Sequence, residues 1–184
     1  MMDAAIKLDC PASSTVGSVL YFSPGQEAPE FTKVYSGVNV FENLKEDGRP
    51  CTLALLDLDN LEVIRIRYGE QACRQARTFL LERLRCTLRD TDYLGEYDRY
   101  ALLIFPGTNH RRASLVGTRL QREMAPAVGI TTENSISLSV SVGLSTCYMS
   151  AQVEYLDLIA QAESALIEAK SMGQNSVRVY EAGA

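Results

Sequence analysis

An α+β domain of the ferredoxin-like kind, a central mixed sheet with helices packed on it, is the fold class predicted by these 184 residues. Three observations predict it. Cys51-Thr-Leu-Ala-Leu-Leu-Asp57 is short and almost wholly apolar, as a strand covered on both faces must be. Tyr93 to Pro106 reads as two strands around a tight polar tip. Between and after these runs, helical and strand patterns alternate, in the order strand, two helices, strand, strand, helix, strand, helix, strand.

The elements follow in chain order. Met1 to Ser14 carries weak signals and is expected on the surface. Val16 to Phe22 reads as a strand, stopped by Ser-Pro-Gly at 23–25. Val38 to Lys45 is a short element, helix or strand, and Glu46 to Pro50 is a loop. Residues 1–50 thus form an extension too small for its own core, and 51–184 form the main domain. The extension either packs on that domain or supplies a homodimer contact, the Val16–Phe22 strand being the place for one.

Beyond Cys51–Asp57, Asp59 or Asn60 can cap a helix from Leu61 to Tyr68, which Gly69 ends. A longer helix spans Gln71 to Leu88, with Ala72, Ala76, Phe79, Leu80, Leu84 and Leu88 on one face. In the hairpin, Asp98-Arg99 is the tip. Asp suits its positive φ and Arg suits it poorly. The run Ala101–Phe105 is the second strand, and Pro106-Gly107 ends it. Thr108 or Asn109 caps a helix to Met124, with Ala113, Leu115, Val116 and Leu120 inward. A loop from Pro126 to Asn134 follows. Ser135 to Val142 alternates strictly, which predicts a half-exposed antiparallel strand that Gly143 ends or bulges. Val153 to Met172 is an amphipathic helix with Leu156, Ile159, Ala162, Leu166 and Ala169 inward and Gly173 at its C-cap. Ser176 to Tyr180 is a last strand.

Composition excludes several function classes. A net charge of −5 opposes general nucleic-acid binding, which needs a basic surface to displace counterions. Arg65, Arg67, Arg74, Arg77, Arg83, Arg85 and Arg89 cluster in one segment, which reads as a solvated helical face, with a local basic patch as the alternative. Five cysteines without a C-x-x-C pair predict neither a disulfide framework nor a zinc site, and suggest a reducing compartment. The single histidine, His110, gives no basis for a His-built metal site or a Ser–His pair. With no apolar run of membrane-span length and no leader pattern, a cytoplasmic protein without membrane insertion is expected.

A set of motifs falls in order along the chain. They are Leu-Leu-Asp57-Leu-Asp59, Tyr68-Gly69, Arg89-x-x-Asp92, a hairpin ending Leu-Leu-Ile-Phe-Pro, Ser-Val-Ser-Val-Gly143, and Ala162-Glu-x-Ala-Leu-x-x-Ala-Lys170-x-x-Gly173-x-Asn175. From about Cys51 to Tyr180 the chain resembles a GGDEF domain, of the diguanylate cyclase family in bacterial second-messenger signalling. The resemblance implies a cyclase-type sheet and descent from enzymes that join two GTP molecules into cyclic di-GMP with divalent cations.

It also exposes what this chain lacks. Asp57 matches the family's first metal acid. Leu61-Glu62 stands where the family has Phe-Lys, and a negative Glu62 would repel a triphosphate. The guanine-reading Asn and Asp match Arg65 and Arg74. Lys170 matches a phosphate-contacting lysine, but the arginine four residues on is Gln174. Counting forward from Arg89-x-x-Asp92 places Asp98-Arg99-Tyr100-Ala101-Leu102 on the signature. Counting back from Pro106 places Tyr97-Asp98-Arg99-Tyr100-Ala101 there. Both glycines are lost, and Tyr100 or Arg99 replaces the second metal acid. No cyclase activity, catalytic residue, metal set or cofactor is therefore expected. Asp57 reads as a remnant or a helix cap, and Lys170 as a surface lysine suited to a helix C-terminus.

The inhibitory-type motif is retained. In the family, Arg-x-x-Asp five residues before the signature binds the product, and Arg89-x-x-Asp92 stands at that distance from Asp98. Guanidinium pairs with phosphate and stacks on bases, while a carboxylate accepts from the guanine edge. A plain structural role is open beside it: Arg89 at a helix C-terminus and Asp92 capping a turn. Arg119 and Arg122, on the next helix, are candidates for a second cation. The reading is an inactive domain that binds cyclic di-GMP at Arg89 and Asp92 and relays to a protein partner. A scaffold for dimerisation or docking, without nucleotide, is the alternative.

Overall fold

The computed structural model describes residues 30–124, 127–129 and 135–181. The expected strand at Val16–Phe22 lies outside them. Helix α1 (Glu30–Lys45) precedes strand β1 (Pro50–Leu58), helix α2 (Leu61–Thr87), the hairpin β2 (Tyr93–Tyr97) and β3 (Tyr100–Pro106), and helix α3 (His110–Met124). Then come β4 (Ala127–Gly129), β5 (Ser135–Ser137), β6 (Val140–Tyr148), helix α4 (Tyr155–Ser171) and β7 (Val177–Val179). The main sheet has the order β2-β3-β1-β6-β7, antiparallel except for the β6–β7 pair. β4 and β5 pair with each other apart from it.

β1 sits at the centre because it can be apolar on both faces. Ala54, Leu56 and Leu58 join a core with Ile64, Phe79 and Leu84 of α2 and Leu120 of α3. Cys51, Leu53 and Leu55, the alternate residues, join a second core with Phe41 of α1 and Leu158, Ile159 and Leu166 of α4. The short element at Val38–Lys45 is thus the end of a helix. Its Phe41 ring is fully buried, 5.5 Å from the Tyr155 ring. α2 comprises two helical segments. Gly69, at φ 82° and ψ 178°, breaks them as its conformational freedom allows.

The hairpin forms as expected. Tyr97 pairs with Tyr100, leaving Asp98-Arg99 as a two-residue tip with Asp98 at φ 50°. Asn109 caps α3, its Oδ1 accepting from the Arg112 backbone N–H at 3.2 Å.

Five expectations are corrected. Ser135–Val142 is not one half-exposed strand: Ser135–Ser137 belongs to the small sheet, and Val140 begins a central strand buried through Ser145. The alternating small residues Ser141, Gly143 and Ser145 lie under α4, not in solvent. Ser145 Oγ donates to the Leu158 carbonyl at 2.8 Å. Gly143 stands in mid-strand, and any Cβ there would collide with the α4 backbone at Ala162 and Leu166. Leu115 and Leu156 point outward, 70% and 62% exposed, because Gly117 and Leu158 take the inward phase of α3 and α4. Asn60 occupies the N-cap of α2 without a side-chain cap, and Asp59 is used elsewhere. The loop at 126–134 contains β4.

Candidate functional site

Two places carry the chemistry expected from the sequence, one at each end of β2. At its start, α2 ends at Thr87, and the chain makes a turn through Arg89–Asp92. The Asp92 N–H donates to the Arg89 carbonyl at 3.0 Å. The Arg89 N–H donates in return to Asp92 Oδ2 at 3.0 Å. One carboxylate oxygen therefore closes the turn, as Asp does in such local motifs. Asp92 is only 5% exposed. Burial raises its pKa above the ordinary 3.8, against the Arg89 N–H bond and the charges of Arg89 and Arg119. Arg89 itself is exposed. Arg119 lies close enough on α3 to act electrostatically on Asp92, and its Nε is buried with no hydrogen-bond partner. The structure brings Arg89, Asp92 and Arg119 together. No contact of the Arg122 side chain with this turn is seen.

At the other end of β2, the hairpin tip meets the end of β1. Asp57 is 7% exposed there. A charged carboxylate so placed needs a partner, and it has two. Lys170, from the last turn of α4, forms an ion pair with Oδ2, and Arg99 Nε of the tip lies 3.8 Å from the same oxygen. Asp57 is thus neither unpaired nor a helix cap, and Lys170 is not a free surface lysine. Arg99 Nη2 donates to the Tyr100 hydroxyl at 3.2 Å, with the guanidinium 5.1 Å from that ring's centre. Arg77 Nη2 of α2 donates to the Arg99 carbonyl at 3.2 Å and lies 3.8 Å from Glu96. Asp57, Arg77, Glu96 and Arg99, with Leu58, Leu61, Leu80, Leu81 and Ala101, line a small cleft, with a cavity volume of about 10 Å³.

The second carboxylate beyond β1 is spoken for as well. Asp59 Oδ1 accepts from Ser141 Oγ at 2.6 Å, and Oδ2 accepts from the Asn175 N–H at 2.8 Å. Asp59 therefore ties β1 to β6 and to the loop before β7. Glu62 is matched by Arg65, whose Nε lies 3.1 Å from Oε2 on an exposed helical face. Arg83 similarly lies 3.8 Å from Glu123.

The divalent cation implied by the resemblance does not fit these residues. Such an ion needs several oxygen ligands. Asp57 faces two cations, Asp59 is fully engaged, and the tip offers Arg99 and Tyr100. Among the described residues no three His, Cys, Asp or Glu side chains stand close enough to hold a metal.

Sequence reasoning missed the roles of Arg99, Arg77, Glu96, Ser141 and Asn175. The one signal was the poor fit of Arg99 to a turn position. The Asp59 partners come from distant segments, and no local pattern marks them.

Residues 38–176 match the family described as "Diguanylate cyclase, GGDEF domain". The chain is 28% identical over 144 residues to the Escherichia coli (strain K12) protein named "Probable diguanylate cyclase DgcC", covering 77% of this chain and 38% of that protein. It is 26% identical over 157 residues to the cyclic di-GMP phosphodiesterase NbdA of Pseudomonas aeruginosa, covering 84% of this chain and 19% of that protein. The chain therefore spans well under half the length of these relatives. Among solved structures, the active GGEEF domain of a Vibrio cholerae diguanylate cyclase superposes with TM-score 0.72 at 17% identity, over 85% of this chain and 99% of that one. The GGDEF domain of DgcB from Caulobacter crescentus, in complex with c-di-GMP, gives 0.73 at 17% identity, over 82% and 88%. The Pseudomonas aeruginosa diguanylate cyclase SiaD, in complex with its activator SiaC, gives 0.73 at 20% identity, over 82% and 57%.

Proposed function

Because this chain belongs to the GGDEF diguanylate cyclase family, we propose that it is a family member without cyclase activity that binds cyclic di-GMP at Arg89 and Asp92 and passes the signal to a protein partner. The observation that carries the reading is the reciprocal turn at Arg89–Asp92. It holds the backbone of the exposed Arg89 against Asp92 Oδ2, keeps the two residues side by side, and leaves Asp92 Oδ1 for the guanine edge. Arg119 adds a buried, unpartnered N–H nearby. A dinucleotide offers both phosphate oxygens and a guanine donor edge to such a set. Likeness to a domain solved with c-di-GMP and to a cyclase solved with a protein activator makes both parts of the reading reasonable.

The absence of cyclase chemistry rests on different residues. Tyr100 or Arg99 stands where a second metal acid is required, and Asp57 is matched by Lys170 and Arg99. In this reading 51–184 is the signalling domain, 1–50 an extension, and the protein works in the cytoplasm.

A second reading is favoured by the burial of Asp92. With one oxygen already closing the turn, the motif serves structure alone, and the domain is a docking or dimerisation scaffold.

Isothermal titration of the full chain with cyclic di-GMP separates the two. Micromolar binding, about −8 kcal/mol, lost in Arg89→Ala, supports the receptor. No heat at any concentration leaves the scaffold. Incubation with GTP and magnesium is expected to yield no cyclic di-GMP, and formation of that product would overturn the inactive reading.

A further inference from the structure

Asp57 is one carboxylate shared by three elements: β1 carries it, Lys170 reaches it from α4, and Arg99 reaches it from the hairpin tip. A divalent cation at Oδ2 would have to sit beside both of these positive groups. Each would repel it at close range in a partly desolvated site. The tip is held from a second side too. Arg77 of α2 donates to the Arg99 carbonyl, and Tyr100 both accepts from the Arg99 guanidinium and packs against it. We propose that Arg99 and Lys170 are resident counter-ions that occupy the role of a divalent cation at Asp57, latching the β2–β3 tip to the end of β1 without metal.

The repulsive part of the misfit is thus a property of two named side chains that substitution can reverse, and an ion of the Mg²⁺ type held by a single carboxylate keeps water in its other positions. The proposal is independent of the receptor reading. Arg89 and Asp92 lie at the far end of β2, and a failure of either idea leaves the other standing.

The test uses the full chain with Mn²⁺ as probe. Electron paramagnetic resonance follows the free ion, and thermal unfolding is compared in EDTA and in millimolar Mg²⁺. The wild-type chain is expected to leave the Mn²⁺ signal undiminished and to unfold at the same temperature in both buffers. Arg99→Gln combined with Lys170→Met is expected to bind Mn²⁺ and to be stabilised by Mg²⁺, both effects vanishing when Asp57→Asn is added. Should that variant not fold, Arg99→Gln alone is expected to raise Mn²⁺ affinity by roughly tenfold or more, the scale of removing one nearby like charge. Wild-type Mn²⁺ binding abolished by Asp57→Asn would overturn the proposal. So would a folded double variant that binds no Mn²⁺, or an Arg99→Gln chain with unaltered affinity. The latch has its own readout. Arg99→Gln is expected to speed amide hydrogen exchange at residues 98–100, and unchanged exchange there would refute it.

Discussion

Gly143 of β6 lies so close under Ala162 of α4 that a Cβ on the glycine would run into the Ala162 carbonyl oxygen. The same atom would stand 2.7 Å from Leu166 Cα. The obstacle is helix backbone, which cannot rotate aside as a side chain can.

Gly143→Ala is therefore expected to cost about 3 kcal/mol, the upper range for overpacking. Urea denaturation measures it. A change below about 0.5 kcal/mol, typical of exposed sites, would mean that α4 does not seat on β6 as described.

Asp59 is expected to matter for stability rather than for ligand. Asp59→Ala strands the buried Ser141 hydroxyl and the Asn175 N–H. The loss should be about 1–3 kcal/mol, the cost of leaving the buried Ser141 hydroxyl unsatisfied, since the exposed Asn175 N–H can turn to water. Amide exchange should quicken along β7, which the Asn175 contact helps to hold. Normal protection of β7 in a folded variant would show that the tie is dispensable.

The raised pKa of Asp92 has a definite sign. Its folded form holds the proton more tightly than the unfolded chain, so this group destabilises the fold as pH rises from the ordinary 3.8 through the raised value. Ligand affinity should move the other way, because the ionised carboxylate is the stronger acceptor for the guanine edge and carries no competing O–H. Cyclic di-GMP binding should weaken as pH falls through that window. Asp92→Asn, which keeps an oxygen for the Arg89 N–H, should fold, bind poorly, and lose the part of the pH dependence of stability and binding that Asp92 contributes. Titration and thermal melts across pH 3 to 7, about the range of a perturbed carboxylate, decide it.

Phe41 tests the part played by the N-terminal extension. Its fully buried ring packs on Tyr155 in the core that α1 and α4 share. Phe41→Ala should cost about 3–5 kcal/mol. A chain beginning at Cys51, which lacks both Phe41 and Leu44, should be at least as unstable. Equal melting temperatures for the full and shortened chains would mean that α1 only rests on the domain.

The fold was legible where the sequence signal was local. β1, the hairpin with its Asp98-Arg99 tip, the break at Gly69 and the Asn109 cap could each be read from neighbouring residues. Errors arose where local pattern and distant packing disagree. Ser141 and Ser145 are polar by composition, but their hydroxyls are satisfied by Asp59 and by the Leu158 carbonyl beneath α4. A period of two cannot distinguish a wet face from a face of small residues under a helix. Leu115 looked inward by hydropathy, whereas the inward phase of α3 runs through Ala113, Gly117 and Leu120. At the candidate site, the spacing of Arg89 and Asp92 was readable, and their reciprocal hydrogen bonds agree with a turn. The pairing of Asp57 with Lys170 was not readable, because 113 positions separate them.

The sheet order also governs how the chain must assemble. Among the described residues, β1 is the first strand of the main sheet along the chain, and it lies at the centre of that sheet. On one side Pro50 pairs with Tyr148 and Leu58 with Val140, and on the other Cys51 pairs with Pro106. None of its hydrogen-bonding neighbours exists until long after it leaves the ribosome. Such non-local pairing slows folding toward the millisecond-to-second regime of high contact order. Until β3 and β6 arrive, a nine-residue strand that is apolar on both faces waits with both of its hydrogen-bonding edges unpaired. Aggregation during synthesis, not the loss of any single contact, is thus the vulnerability that this topology builds in.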